Sequence, residues 1–255
     1  MKSAELQRHS VSSGSLILVN ADNSYKAAAS EDDFVPVCEA YCDVYMERRA
    51  AALLDMLMKE INGWGAIAPV SGWRTAQLQK KIWDDSMRDK GELFTRQYVA
   101  APGHSEHETG LAIDLGLRKE KIDFIRPEFP DFGVCRRFSK MASEFGFILR
   151  YPEGKEHITG IAYEPWHFRY VGIPHAELMS ALGLTLEEYH DFVKRFPYGE
   201  PPLCFEKKNI VFEISYLRAD CTKEKMHEVL ESAHGMVSGN NSDGFIITAW
   251  KNRES

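Results

Sequence analysis

No stretch of this sequence comes near the ~20 consecutive apolar residues that a membrane-spanning helix requires, so no spanning segment is expected. Positive charge is the minority sign. Lys and Arg number 31 against 38 Asp and Glu, a net charge of −7, which argues against nucleic acid or an anionic membrane surface as partner. Cysteine is sparse: Cys38, Cys42, Cys135, Cys204 and Cys221 make five. An odd, scattered set does not read as a disulfide framework. Cys38-x-x-x-Cys42 would share a helix face, but no second pair completes a zinc site, and reduced thiols are the expected state. A signal-peptide pattern is missing too: Met1 to Ser13 is polar, and the short apolar run Leu16 to Val19 reads as a strand. A cytoplasmic protein without membrane association is the expectation.

What the sequence does have is an ordinary globular composition. Its 255 residues are 44% hydrophobic and 27% charged, enough for a real core and for one large domain or one domain plus an appendage. Residues 1–14 read as a flexible arm, 15–198 as the main domain and 203–255 as a C-terminal appendage, with Tyr198-Gly199-Glu200-Pro201-Pro202 the linker. A strand is expected over Ser15 to Asn20, a loop over 26–36, and a long helix from Glu39 to Ile61. That helix has Leu54, Leu57, Met58 and Ile61 on one face and stops at Asn62-Gly63. Ala66 to Ser71 reads as a strand running into Gly72-Trp73-Arg74-Thr75, with Thr75 the N-cap of a helix from Ala76 to about Asp89. Residues 91–104 connect that helix to the loop that carries His107, and 118–131 read as a charged loop. Phe132 to Phe145 is helical by spacing, and Phe147 to Tyr151 and Ile158 to Tyr163 are extended. Pro174 to Leu182 and Leu186 to Arg195 are short helices. The appendage reads as a strand (Ile210 to Leu217), a helix (Thr222 to Ala233) and a strand (Gly244 to Trp250), with a loop over Ser238 to Ser242.

The chemistry concentrates in two stretches. One is Ser105-Glu106-His107-Glu108-Thr109-Gly110-Leu111-Ala112-Ile113-Asp114, the other Glu164-Pro165-Trp166-His167. Together they look like two halves of one metal site, with His107 and His167 supplying nitrogens and Asp114 an oxygen. Three such ligands leave a coordination position free, as a catalytic zinc site requires. Glu164 lies beside a ligand without having to be one, where a general base belongs. Leu111 to Leu115 alternates as a strand, with Leu111, Ile113 and Leu115 on one face and Ala112 and Asp114 on the other. His107 falls in the loop before it, and Gly110 lets the backbone turn sharply. Glu164 and His167, three apart, would face opposite ways in a regular strand, so the reading requires an irregularity at Pro165. Glu106 and Glu108 read as solvated and His104 as a loop histidine. Singly, each residue has a plainer explanation: a core-edge histidine, a turn-forming Asp, a strand start. The set is what is specific.

Ser105-x-His107-x-x-Gly110-x-Ala112-x-Asp114 followed by Glu164-x-x-His167 resembles the signature of the zinc D-alanyl-D-alanine carboxypeptidases and dipeptidases of the VanY/VanXY type. Ser71-Gly72-Trp73-Arg74, Arg150-Tyr151-Pro152 and Tyr163-Glu164-Pro165-Trp166-His167-Phe168-Arg169-Tyr170-Val171-Gly172 carry the same resemblance, which runs from about Leu16 to about Phe196. It implies a catalytic zinc, one per chain, on His107, Asp114 and His167, with Glu164 as base. It implies that Arg74, at a strand-to-helix junction, stabilises the oxyanion formed on the peptide carbonyl, and that Gln79 contacts substrate. For Ser105 it favours a substrate contact over capping the local backbone. Trp166 would wall the substrate pocket, although a core tryptophan reads equally well.

The fold expected is α+β: a small antiparallel sheet holding the metal residues, helices packed on its other face, and a C-terminal βαβ-like extension. The activity expected is hydrolysis of the bond before a C-terminal D-alanine, in D-Ala-D-Ala or in cytoplasmic pentapeptide wall precursors. The bifunctional VanXY branch fits best and implies a part in vancomycin resistance. An endopeptidase cleaving L-Ala-D-Glu or similar wall bonds, and a non-catalytic zinc-binding module, are the alternatives. For the appendage a stabilising role, a dimer contact and a lid stay open, and a structural or homodimer-interface role is favoured.

Overall fold

Phe34–Cys38 (β1) and Tyr41–Glu47 (β2) pair as an antiparallel hairpin, where the sequence suggested a loop and the start of a long helix. Tyr41-Cys42-Asp43-Val44-Tyr45 is rich in β-formers and suits a pleated strand better than a helix. The helical pattern takes over at Arg48–Glu60 (α1), which Glu47 caps by accepting from the backbone N–H groups of Arg49 and Ala50, each at 2.9 Å. The computed structural model describes residues 10–27, 30–220 and 235–253.

Ile67–Ser71 forms β3. Thr75 then caps Ala76–Lys90 (α2), its hydroxyl accepting from Leu78 N–H at 3.2 Å. Glu92–Tyr98 is a further helix (α3) inside the segment read as a connection. Ala112–Leu117 is β4, and Gly133–Met141 (α4) runs into a 3-10 turn that Gly146 ends. After Phe147–Leu149 (β5), Glu156–Thr159 makes one helical turn (α5) in place of the strand expected from Ile158. Gly160 in a left-handed conformation stops that turn, so the apolar residues after it never enter a ladder. His167–Tyr170 is β6, and His175–Leu182 (α6) and Leu186–Val193 (α7) follow.

Strands β3, β4, β6 and β5 form one antiparallel sheet in the order β3-β4-β6-β5. Side chains alternate across it. Ile113 and Phe168 pair on one face, and Phe168 meets Phe138 of α4 with ring centroids 4.7 Å apart and Phe129 at 5.4 Å. Asp114 and His167 pair on the other face, in register with Ala112 and Arg169. The sheet therefore separates an aromatic, helix-covered core from a polar face.

The described residues cluster into two compact units: Val19–Thr185, and Met1–Leu18 together with Leu186–Ser255. The division falls at Thr185, whereas composition pointed to 198–203. In the second unit Leu203–Lys207 (β7), Ile210–Arg218 (β8), Gly235–Gly239 (β9) and Gly244–Asn252 (β10) form an antiparallel sheet in the order β7-β8-β10-β9, around Leu217, Phe245 and Ile247. β7 and β9 are strands the sequence reading did not place. The helix expected over Thr222 to Ala233 lies outside the described residues, as do residues 1–9 of the arm. Leu16, Ile17 and Leu18 are buried but do not form the strand expected there. Their polar groups are satisfied one by one: Leu16 N–H donates to Ser238 Oγ, Leu18 N–H to the Asn240 carbonyl, and Asn241 Nδ2 donates to the Leu18 carbonyl. No helix among the described residues is long and apolar enough to cross a membrane.

Candidate metal centre and active site

His107 stands in a tight turn, Glu106–Thr109, that ends at Gly110 with φ 71°. A Cβ on Gly110 would lie 2.3 Å from a ring carbon of Phe34, so both backbone conformation and space demand glycine. The turn is held from two sides: Glu47 N–H donates to the Gly110 carbonyl at 2.8 Å, and Arg74 N–H donates to the His107 carbonyl at 3.2 Å. Asp114 sits mid-strand, opposite His167 on one side and Ser71 on the other. The register shifts between Pro69 and Ser71, an irregularity of the kind that re-aims a strand end. From there the chain enters Gly72 to Arg74.

These placements bring His107, Asp114 and His167 together, all buried, with one ligand atom from each within 4.8 Å of the others. His107 Nε2 is 3.1 Å from Asp114 Oδ2, and its Nδ1 is 2.8 Å from the Gly72 carbonyl. A carbonyl can only accept, so Nδ1 carries the proton and Nε2 keeps its lone pair toward Asp114. His167 turns Nδ1 the same way, 2.9 Å from Asp114 Oδ1. Two imidazole nitrogens and a carboxylate converging at one buried point are a donor set that fits zinc and leaves a position open.

Glu164 reaches the same point from a turn. His167 N–H donates to the Glu164 carbonyl at 3.2 Å, which makes Glu164 and His167 the ends of a β-turn with Pro165 at its second position. Glu164 Oε2 is 3.7 Å from His167 Nδ1. This is the irregularity that the three-residue spacing required.

The environment spreads the proton affinities. Burial pushes the Glu164 carboxyl up to about 8, with His167 opposing and Asp114 adding to the shift. Burial and then the Arg74 charge bring His107 down to about 4. His167 goes the other way: burial favours its neutral form, but Asp114 and Glu106 beside the ring outweigh that and raise it to about 9. Burial alone would raise Asp114, yet the two histidines hold it below the ordinary carboxylate range.

Arg74, half-buried between β3 and α2, joins Glu164 and Asp114 in lining the same cleft. Burial lowers its pKa, opposed chiefly by Asp114 and Glu164, and its Nε has no hydrogen-bond partner among the described residues. Gln79, Ser105 and Trp166 line the cleft too, and all three are buried. Gln79 Nε2 is engaged, donating to the Ala100 carbonyl at 2.7 Å, while its Oε1 is buried without a partner among the described residues. The Ser105 side chain does not cap the turn it precedes. Tyr98 at the end of α3, Val99 after it, and Phe124 and Ile125 from the segment between β4 and α4 add an apolar wall.

Two expectations are corrected. Glu106 is 2% exposed and Glu108 6% exposed; neither is solvated. Glu108 Oε1 accepts from Gly103 N–H at 2.8 Å and pins the segment ahead of the metal turn. Glu106 lies beneath the sheet's polar face, where Arg150 Nε and Arg169 Nη1 both donate to its Oε1, at 2.7 and 2.8 Å. Burial would raise its pKa, but the two guanidinium groups hold it below the ordinary carboxylate range. The signal was present in sequence: in a buried strand His167 and Arg169 must share a face, and an arginine there needs a carboxylate. Tyr151 was also missed as a site residue; its ring centroid is 4.9 Å from that of His167. His104 is a loop histidine as expected, with Nδ1 2.7 Å from the Asn20 carbonyl.

The profile of the VanY D-alanyl-D-alanine carboxypeptidases matches residues 43–173, just over half of the chain and the part that holds every residue of this cluster. The chain belongs to the VanY D-alanyl-D-alanine carboxypeptidase family. It is 42% identical over 179 residues to the bifunctional D-Ala-D-Ala dipeptidase and D-Ala-D-Ala carboxypeptidase VanXYC of Enterococcus gallinarum, covering 70% of this chain and 94% of that protein. The crystal structure of the vancomycin-resistance D,D-dipeptidase VanXYg, bound to a D-Ala-D-Ala phosphinate analogue, superposes with a TM-score of 0.87 at 41% identity. That likeness covers 94% of this chain and 95% of the other. A vancomycin-resistance D,D-pentapeptidase VanY variant in complex with Zn(II) gives a TM-score of 0.58 at 33% identity, over 69% of this chain and 98% of its own.

Proposed function

We propose that this VanY-family enzyme is a zinc-dependent D,D-peptidase that hydrolyses the peptide bond before a C-terminal D-alanine, in free D-Ala-D-Ala and in D-Ala-terminated wall precursors. The observation that carries the reading is the convergence of His107 Nε2, Asp114 and His167 Nδ1 with Glu164 in one buried cleft. One zinc per chain would be held by those three residues, since theirs is the one such group among the described residues. Zinc bound there supplies Lewis acidity that activates water and polarises a carbonyl.

The remaining steps belong to side chains. Glu164 takes a proton from the attacking water and returns it to the leaving amine. Its burial keeps its proton affinity high, and general bases work best when their pKa lies near the working pH. The Arg74 guanidinium faces the charge that develops on the carbonyl oxygen, where a preorganised donor is typically worth about 3–4 kcal/mol. Ser105, the unengaged Oε1 of Gln79 and the Trp166 ring orient the substrate. Removal of terminal D-alanine destroys the target of vancomycin, and the likeness to resistance enzymes supports that biological role.

The test is release of free D-alanine by the zinc-loaded chain from D-Ala-D-Ala and from a soluble pentapeptide precursor in parallel, with Glu164→Ala as control. Release abolished in the variant is expected. No release from either substrate would sink the reading.

A further inference from the structure

The metal cluster leaves one buried group of charges unused. Glu106, Arg150 and Arg169 are at most 2% exposed, and a network so expensive to bury persists only when its members satisfy one another. Glu106 divides its two oxygens. Oε1 accepts from both Arg150 Nε and Arg169 Nη1. Oε2 is left facing His167 Nε2 at 3.5 Å, and neither of those two atoms has a hydrogen-bond partner among the described residues.

His167 therefore stands among three carboxylates. Its Nδ1 is toward Asp114 and Glu164, and its Nε2 is toward Glu106. For Nδ1 to offer a lone pair to an ion, the ring proton must sit on Nε2, and a buried N–H needs an acceptor. His107 solves the same problem with a backbone carbonyl, that of Gly72. His167 has Glu106 Oε2.

We propose that Glu106 is a positioning residue for the metal centre: its Oε2 accepts the His167 Nε2 proton, which fixes the ring tautomer and orientation that present Nδ1 to the ion, while Arg150 and Arg169 hold Glu106 in place. This role rests on the zinc reading of His107, Asp114 and His167. Because both guanidinium donors use Oε1, Glu106→Gln must keep its amide oxygen toward the arginines. Its NH2 then faces His167 Nε2, two donors confront each other, and the ring proton is driven to Nδ1, onto the metal side.

The experiment measures Zn(II) affinity of the full chain by competition with a chromophoric chelator, for the native protein and Glu106→Gln. Outer-sphere partners of this kind usually carry about 10–100-fold in metal affinity, and a loss of that size is expected. An unchanged affinity in the variant beside tight binding by the native protein would overturn the role of Glu106 and leave the metal site intact. Native protein that binds no Zn(II) would remove the site and this role together. A second measurement needs no substitution and survives a variant that does not fold: long-range 1H–15N NMR of the histidine rings in the zinc-loaded native chain. A slowly exchanging, downfield Nε2–H on His167, with the metal on Nδ1, is expected. A rapidly exchanging Nε2–H, or metal on Nε2, would contradict it. In Glu106→Gln that signature should be lost, whereas a merely structural Glu106 would leave it unmoved in the variant.

Discussion

Asp114 and His167 lie directly opposite each other on adjacent antiparallel strands, with Asp114 Oδ1 2.9 Å from His167 Nδ1. Residues 53 apart in sequence thus meet as a cross-strand pair, the unit by which a sheet is stabilised. The second oxygen of Asp114 is 3.1 Å from His107 Nε2, so one carboxylate lies beside the inward nitrogen of both histidines.

Glu164→Gln should keep its zinc and lose turnover. The amide preserves shape but cannot accept the proton of water, and general-base catalysis is worth about 10^2–10^4-fold. Steady-state hydrolysis of D-Ala-D-Ala, with metal content measured on the same sample, checks it. A metal-replete variant with near-native kcat would reassign the base.

Arg74→Lys should lower kcat more than it raises KM. The backbone N–H that braces His107 remains, so the metal turn survives, but lysine offers a point charge in place of a planar fork. A loss of about 10^2–10^3-fold in kcat follows if one oxyanion donor is misplaced. A change confined to KM would make Arg74 a ground-state contact instead.

Zinc uptake should release protons near neutral pH. Without metal, His167 at about 9 and Glu164 at about 8 are both protonated at pH 7, while His107 at about 4 is already neutral. An ion displaces the proton of His167 and its charge expels that of Glu164, so roughly two protons should leave. Affinity should therefore climb with pH through the 7–9 range and flatten above it, and should fall steeply toward acid. Calorimetry in two buffers of different ionisation enthalpy counts the protons, and Glu164→Gln should release about one fewer. Release independent of pH would contradict the assignment.

Gly110→Ala should destabilise the fold and loosen the metal turn. The residue must hold a left-handed conformation and would press a methyl against Phe34. Strain of this sort costs about 1–3 kcal/mol, and each kcal/mol shifts the melting temperature of a chain this size by about 2–4 °C. Thermal unfolding in the presence of chelator measures it, and an unchanged midpoint would refute the steric argument.

What could be read in advance depended on how local the signal was. Gly110 before an alternating strand, Thr75 before an amphipathic run and Gly146 after one are all decided within a few residues, and each stands where expected. The segment Tyr41 to Glu47 was misassigned because it borders a strong helix, and periodicity alone does not mark where one pattern yields to another. β7 and β9 were missed for a related reason: short, half-exposed strands become strands by pairing, and their partners β8 and β10 lie elsewhere in sequence.

The sequence by itself determined the donor types, their order and the glycine that lets the metal turn form, because the chemistry needs those side chains and the turn needs that backbone. Tertiary structure alone decided the rest. It set which nitrogen of each histidine faces inward, through the Gly72 carbonyl and Glu106. It turned Glu164 and His167 toward one point through a β-turn at Pro165. It buried Glu106 rather than leaving it in water, because only strand pairing brings Arg150 and Arg169 to the same carboxylate. Proton affinities followed from that burial, since a charge in a dry interior is governed by the neighbours that the fold gives it.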